Sequence, residues 1–309
     1  MAIPSSRLQF TDYYLSTMLP ALEAVIADEQ ASRPEQYPQF FNVEDTTNSI
    51  VQKGEIATLG LMNQTAEGEN VRYDAPIQAF NKTYTPVDWS LGTRITHRMV
   101  ADDKYGIIKA VTASLPQSSQ ETIEVQSANV YNRAFNSSYL GPDGVILCST
   151  AHPLVGGGTQ ANRPTDADLD IPSLESMITL FRKFVNHRGL KKRLLPKFLV
   201  GPPELAFAMT EILSSQMRSD TANNTINAFK AGGIEQGTIT PKVYEYLTDT
   251  DAWFVIANPS DLRLRVIHRE RFATMHDVDF DSRSIKTAGW MTFDVGFDGW
   301  EGIAGTQGA

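Results

Sequence analysis

Cysteine is nearly missing from this 309-residue chain: Cys148 stands alone. No intramolecular disulfide can form, which excludes a disulfide scaffold and suits a reducing compartment. No apolar run approaches the ~20 residues that a membrane helix needs. The opening residues, Met1 to Arg7, lack the basic-then-apolar order of a signal peptide, so the expectation is a soluble chain made in the cytoplasm. Positive charge is in deficit: 27 Lys and Arg stand against 36 Asp and Glu, a formal net charge of −9. A net-acidic surface repels phosphate backbones, so tight nucleic-acid binding is disfavoured. The local basic run Arg182, Lys183, His187, Arg188, Lys191, Lys192 and Arg193 reads as a solvated helix end and following strand rather than a binding patch. Internal repeats and low-complexity tails are absent as well.

Catalytic signatures are equally scarce. Cys148 and His152 lie four apart, but across a strand and a loop, with no third group indicated. Gly156-Gly157-Gly158-Thr159 has the glycine content of a phosphate cradle without the Gly-Lys-Ser/Thr ending. Asp277, Asp279 and Asp281 begin like a calcium loop, but Ser282 and Ala288 stand where that loop needs glycine and glutamate. The histidines at 97, 152, 187, 268 and 276 show no zinc spacing. No residue is assigned a catalytic, cofactor-binding or metal-binding role, and no cofactor is implied.

What is present is a mixture of helices and strands without a βαβ rhythm, which argues an α+β fold. Residues 1–52 read as an N-terminal arm. Thr11 or Asp12 caps a helix that Pro20 interrupts and Leu22, Val25 and Ile26 continue, and Phe40, Phe41 and Val43 form a short extended piece. The arm's apolar residues must lie on its own domain or on a neighbour. Residues 53–95 alternate, with Val71, Tyr73, Ala75 and Ile77 in one run and Phe80 to Leu91 in the next, turning at Gly68-Glu69-Asn70. Such a ribbon is marginal alone in water, so it is expected to reach outward onto another surface. Residues 96–136 read as helical, with Thr96 as a cap and Pro116 as a kink or break; nearly continuous, they would span roughly 60 Å. Beyond them come a strand at 145–148, a helix from Ser173 to Gly189, a strand at 198–200 and a helix opened by Pro202-Pro203. A polar loop is expected at 217–237, then strands at 243–247, 253–256, 262–267, 275–280 and 288–297.

The order of arm, hairpin, spine helix and mixed α/β unit resembles the HK97-like capsid fold. Ile95 to Gly106 looks like the hairpin-to-spine junction of Mu-like major head subunits, and Asn129 to Phe135 is similar to the end of their spine. Asp143-Gly144, Ser149-Thr150-Ala151-His152-Pro153 and Asn162 resemble their Asp-Gly…His-Pro…Asn signature. Tyr246 to Phe254 and Phe297 to Gly305 match two further segments. The likeness runs from about residue 50 to the end.

This resemblance implies a major capsid protein, not an enzyme, that forms the hexamers and pentamers of an icosahedral head around packaged DNA. It also implies assembly in the host cytoplasm, location in the virion, and only incidental DNA contact. The arm (1–52) and the extended hairpin (53–95) would lap onto neighbours. Residues 96–196 and 286–309 would form the peripheral domain, and 197–285 the axial domain at the capsomer centre. Separate scaffold, protease and portal proteins are expected, with room for a decoration protein. Some relatives cross-link through Lys–Asn bonds; Lys82 lies in the hairpin but reads as an ordinary lysine. Two alternatives stay open: a soluble α+β hydrolase with a site near 148–162, and an encapsulin-type protein cage.

Overall fold

A computed structural model describes residues 19–102, 106–215, 227, 229, 239–279, 281–282 and 284–309. The proposed cap at Thr11 or Asp12 and nearly all of the polar 217–237 loop lie outside these residues. Among the described residues the first helix is α1 (Leu19–Ser32), which includes Pro20. A 3-10 turn at Tyr37–Gln39 leads to β1 (Asn42–Asp45). The hairpin then pairs β2 (Val51–Ala57) with β3 (Ile77–Tyr84) in antiparallel register.

This corrects the expected strands of 71–77 and 80–91. Residues 58–76 form the loop of the hairpin, and β4 (Val87–Thr96) leaves it for another sheet. Trp89 of β4 stacks on Phe293 at 5.7 Å, which supplies the packing that draws the strand away.

The spine is shorter and more continuous than expected. Thr96 Oγ1 accepts from Met99 N and caps α2 (His97–Asp102). Gly106 then takes φ +70, the left-handed conformation that glycine tolerates. The spine α3 (Ile107–Asn132) follows unbroken through Pro116, 26 residues or roughly 39 Å. Pro116 removes one backbone bond, yet the buried residues Leu115, Ile123 and Tyr131 hold the helix against the core on both sides of it. α1 lies along the spine, where Arg33 meets Glu121 at 3.5 Å and Gln120 donates to Gln30 O.

The expected strand at 145–148 is irregular. Cys148 N donates to Ala134 O, and the neighbouring backbone bonds to a side chain, so no ladder is needed. β5 (His152–Pro153) and β6 (Thr159–Gln160) make a small ribbon. Helix α4 (Ile171–Arg182) starts two residues before Ser173, because Asp170 caps it through Ser173 N. It ends before Gly189, which turns between the bridged pair Val185 and Lys191.

β7 (Phe198–Gly201), α5 (Ala206–Ser214), β8 (Thr240–Val243) and β9 (Trp253–Ile256) follow. The strand expected over 243–247 stops at Val243, where Leu247 N folds back to Tyr244 O. The two strands expected at 262–267 and 275–280 are one, β10 (Leu264–Asp279), interrupted by irregularities between His268 and Ala273. β11 (Ser284–Phe297) and β12 (Ile303–Thr306) close the chain.

Two sheets result. The long one runs β1-β10-β11-β4 and the short one β12-β9-β7-β8. β10 therefore belongs with the spine's sheet, and a boundary at 285 would cut through the β10–β11 pair. A continuous core joins both sheets, filled by Phe40, Tyr131, Phe181, Tyr244, Trp253 and Phe293 among others. Two aromatic residues of the arm pack on their own chain: Phe40 meets Tyr244 at 4.5 Å and Phe41 meets Tyr131 at 5.5 Å. Glu124 of α3 accepts from Gln36 N and Tyr37 N, holding the 3-10 turn. No described helix is long and apolar enough to cross a membrane.

Candidate functional site: two buried polar clusters and an uncovered hairpin

The signature residues Asp143, His152 and Asn162 meet inside the protein. His152 faces Asp143 Oδ2 through Nδ1 at 2.7 Å and Asn162 Oδ1 through Nε2 at 3.0 Å. Asn162 also accepts from Ser149 N and donates to Leu147 O and Ile303 O. Trp300 stacks over the imidazole at 5.0 Å. These contacts fasten the turn after the spine to the closing segment, and they use every polar atom of the asparagine. Burial pushes the Cys148 thiol far above its ordinary range, so a thiolate nucleophile has no support here. The hydrolase reading near 148–162 thus loses both its nucleophile and its free base. The glycine run is a turn, in which Gly157 and Gly158 have φ +97 and +86. Gly156 is required by a close approach, since a Cβ there would lie 2.7 Å from His187 O.

The second cluster ties the base of the hairpin to the chain's end. Glu55 of β2 bonds His187 Nε2 at 3.2 Å and Arg263 at 3.0 Å. Lys192 bridges to Glu301, and Arg263 reaches Asp298 at 3.6 Å. Arg265 joins Asp298 to Glu44, and Lys53 meets Glu44. Burial works to raise the Glu55 carboxyl, but the His187 hydrogen bond and the Arg263 and Lys192 cations outweigh it and hold it low. Glu301, more deeply buried, stays above the usual carboxylate range despite Lys192. Glu55, His187 and Glu301 approach within 4.8 Å, a spacing that could hold a metal ion. Lys192 and Arg263 already bridge those carboxylates, so the group reads as one end of a charge-balanced knot.

The basic run is accordingly spent on ties within the chain rather than solvated throughout. Arg188 pairs with Asp74 at 2.8 Å and bonds Ala75 O at the neck of the hairpin. Asp277 is exposed, and Asp279 pairs with Lys286 at 2.8 Å, as a wet strand end would. Sequence reasoning missed this knot because its members lie in segments far apart along the chain.

Beyond the neck the hairpin is bare. Every residue from 61 to 78 is exposed, including Leu61, Met62, Val71 and Tyr73. Met62 is 100% and Tyr73 93% accessible. Large side chains of this kind, clustered and uncovered, mark an interaction surface.

Comparison with known proteins gives the family. Residues 80–305 match the family model described as phage capsid protein, which is well over half of the chain. The chain belongs to the phage capsid protein family. No curated protein matches it in sequence. Its structure is similar to the capsid of the cyanophage P-SCSP1u (TM-score 0.61, 9% identity, 90% of this chain and 89% of that one). It is similar also to the procapsid of bacteriophage JBD30 (0.52, 12%, 95% and 75%) and to a virus-like particle from Pyrococcus furiosus (0.54, 10%, 93% and 98%). At these identities the likenesses establish the fold, which is HK97-like. The phage capsid protein described here is therefore a self-assembling shell subunit of the virion, not an enzyme.

Proposed function

We propose that this major capsid protein builds hexamers and pentamers of an icosahedral head by laying its hairpin over the neighbouring subunit, enclosing packaged DNA. The observation that carries this reading is the uncovered apolar tip. A hydrophobic surface of that size is unfavourable in a monomer and is removed from water when a neighbour covers it. Repeated head-to-tail contacts of one kind close into rings where the rotation allows. Within a capsomer, the spine and the long sheet would form the periphery. The short sheet, with its edge strand β8, would form the axial part, so that this part ends before β10 rather than at 285. The arm serves its own subunit from Tyr37 onward. Scaffold, protease and portal functions would come from separate proteins, and a decoration protein would sit on the outer face.

Electron microscopy of the purified protein, alone and with a co-expressed scaffold, should show rings, tubes or shells. A persistent monomer with a radius of gyration near ~19 Å, the value for a globule of this length, would count decisively against the reading. Nucleic acid inside the purified particles, rather than cargo protein, would separate a phage head from an encapsulin-type cage.

A further inference from the structure

The knot at the root of the hairpin gathers three side chains of ligating chemistry. Glu55 of β2, His187 after α4 and Glu301 of the closing segment each offer one ligand atom, all within 4.8 Å of one another. His187 Nε2 and Glu55 Oε2 lie 3.2 Å apart, close to the ~3.4 Å edge of a tetrahedron whose arms are about 2.1 Å. Packing holds each of the three in place. The β2–β3 ladder is irregular between Gly54 and Ile56, a feature that re-aims the side chain it carries. Phe80 stands edge-on to the His187 ring at 5.5 Å, and Gly156 N donates to His187 O at 2.7 Å. Beside Glu301, Trp300 is stacked on His152 and meets Phe184 edge-on.

The cations already in the knot leave part of this chemistry unused. Lys192 and Arg263 both engage Glu301 through Oε2. Its other oxygen, Oε1, is buried and has no hydrogen-bond partner, and the residue is 1% exposed. A buried acceptor without a donor is costly. His187 Nδ1 is buried and unpartnered as well. With no donor holding Nδ1, the imidazole proton can sit there and free Nε2 to coordinate.

We propose that Glu55, His187 and Glu301 form a binding site for a divalent transition-metal ion such as zinc, which enters by displacing the Lys192 ammonium. Lys192 is suited to leave: its side chain is 28% exposed, against 1% for Glu301, and a flexible stem carries its strongly hydrated charge. Arg263 stays on Glu55 Oε1 at 3.0 Å and orients that carboxylate from behind the metal. Two carboxylates then face Arg263 and a divalent ion, an excess of one positive charge. Asp298, 3.6 Å from Arg263, takes up part of it. One imidazole with two carboxylates suits zinc or cobalt, whereas magnesium and calcium prefer oxygen ligands alone. The ion joins three segments far apart in sequence and fixes the root of the hairpin to the closing segment, whatever covers the tip.

The test uses the full-length chain, cleared of metal with a chelator and titrated calorimetrically with zinc chloride. One ion per chain is expected, with a rise in melting temperature. Glu301→Gln keeps the shape of the side chain and should weaken binding at least tenfold, as should His187→Ala. Lys192→Met removes the competing cation and should tighten binding. Cobalt(II) in place of zinc should give the visible absorption of a tetrahedral site, and excess magnesium should not displace it. Absence of saturable zinc binding, or of the cobalt band in the wild-type chain, overturns the proposal. So does binding that Glu301→Gln leaves unchanged, which would belong to surface groups. If the ligand variants do not fold, Lys192→Met decides, and an affinity no higher than wild type is fatal. Chains that assemble yet bind no zinc lose the metal site and keep the shell reading.

Discussion

Two stretches of this capsid protein lack regular structure and yet behave in opposite ways. Residues 141–162 wander through loops and a two-residue ribbon, but their side chains and backbone are satisfied: Asn162 alone meets Ser149 N, His152 Nε2, Leu147 O and Ile303 O. Residues 61–76 are irregular too, yet all of them are exposed, and past the Asp74–Arg188 neck they project large apolar groups into solvent. Irregular backbone holds its shape when something replaces the ladder it lacks. In the first stretch the same chain supplies that replacement. In the second, on the proposed reading, the next subunit does. On that reading the protein is finished at its core and incomplete at its hairpin.

The largest effect should come from breaking the finished side. Asn162→Ala strips partners from four groups, three of them buried, and each buried one costs about 1–3 kcal/mol when left unsatisfied. The sum rivals the total stability of an ordinary domain, about 5–15 kcal/mol. The variant should therefore be insoluble or show a urea midpoint collapsed toward zero. A loss below about 1 kcal/mol would mean that the Asp143–His152–Asn162 cluster does not hold the region, and the contrast with the hairpin would fail.

The arm from Tyr37 to Asp45 extends the comparison, since it too packs within the chain, and acid should loosen it. His268 of β10 lies against Tyr37, 3.2 Å from the hydroxyl, and burial together with the Arg271 cation lowers its pKa to about 4. In the unfolded chain the same group titrates near ~6.5. Between those values the unfolded chain binds a proton that the folded one refuses, so stability is fully present above pH ~6.5 and falls as pH drops toward about 4. Urea midpoints compared at pH 7 and pH 5 should show that decline, and His268→Gln should flatten it. An unchanged slope in the variant would remove His268 as its source.

Much of this was legible in the residues, and the failures have physical causes. The capping role of Thr96, the strand at Trp253–Ile256 and the α+β class follow from local rules that the fold respects. Pro116 reads from sequence as a kink or break, but the helix continues through it, because a local rule about one lost hydrogen bond yields to the burial of Leu115, Ile123 and Tyr131 around it. Residues 71–76 alternate like a strand yet join no strand ladder in their own chain, while β4 found its partner in β11, some two hundred positions later. Asp143, His152 and Asn162 stood out as a pattern, but their convergence on one another depends on turns whose geometry the pattern does not contain. The Glu55–Glu301 knot left no trace, because a charge pair between distant segments has no periodicity.

The smallest effect on the monomer should be the most telling about the hairpin. In the double variant Met62→Ser/Tyr73→Ser, two exposed apolar groups that touch nothing in the chain become small and polar. Surface changes of this kind shift stability by no more than about 0.5 kcal/mol either way, so the urea midpoint of the unassembled subunit should stay where it was. Assembly should nevertheless fail, or need far more protein, because burying a large apolar side chain contributes about 1.5–3 kcal/mol and a closed ring repeats the contact at every junction. Light scattering against concentration would separate the two quantities. A variant that assembles at the wild-type threshold would show that the bare tip is not what the neighbour covers, and the hairpin would then belong with the finished half of the protein.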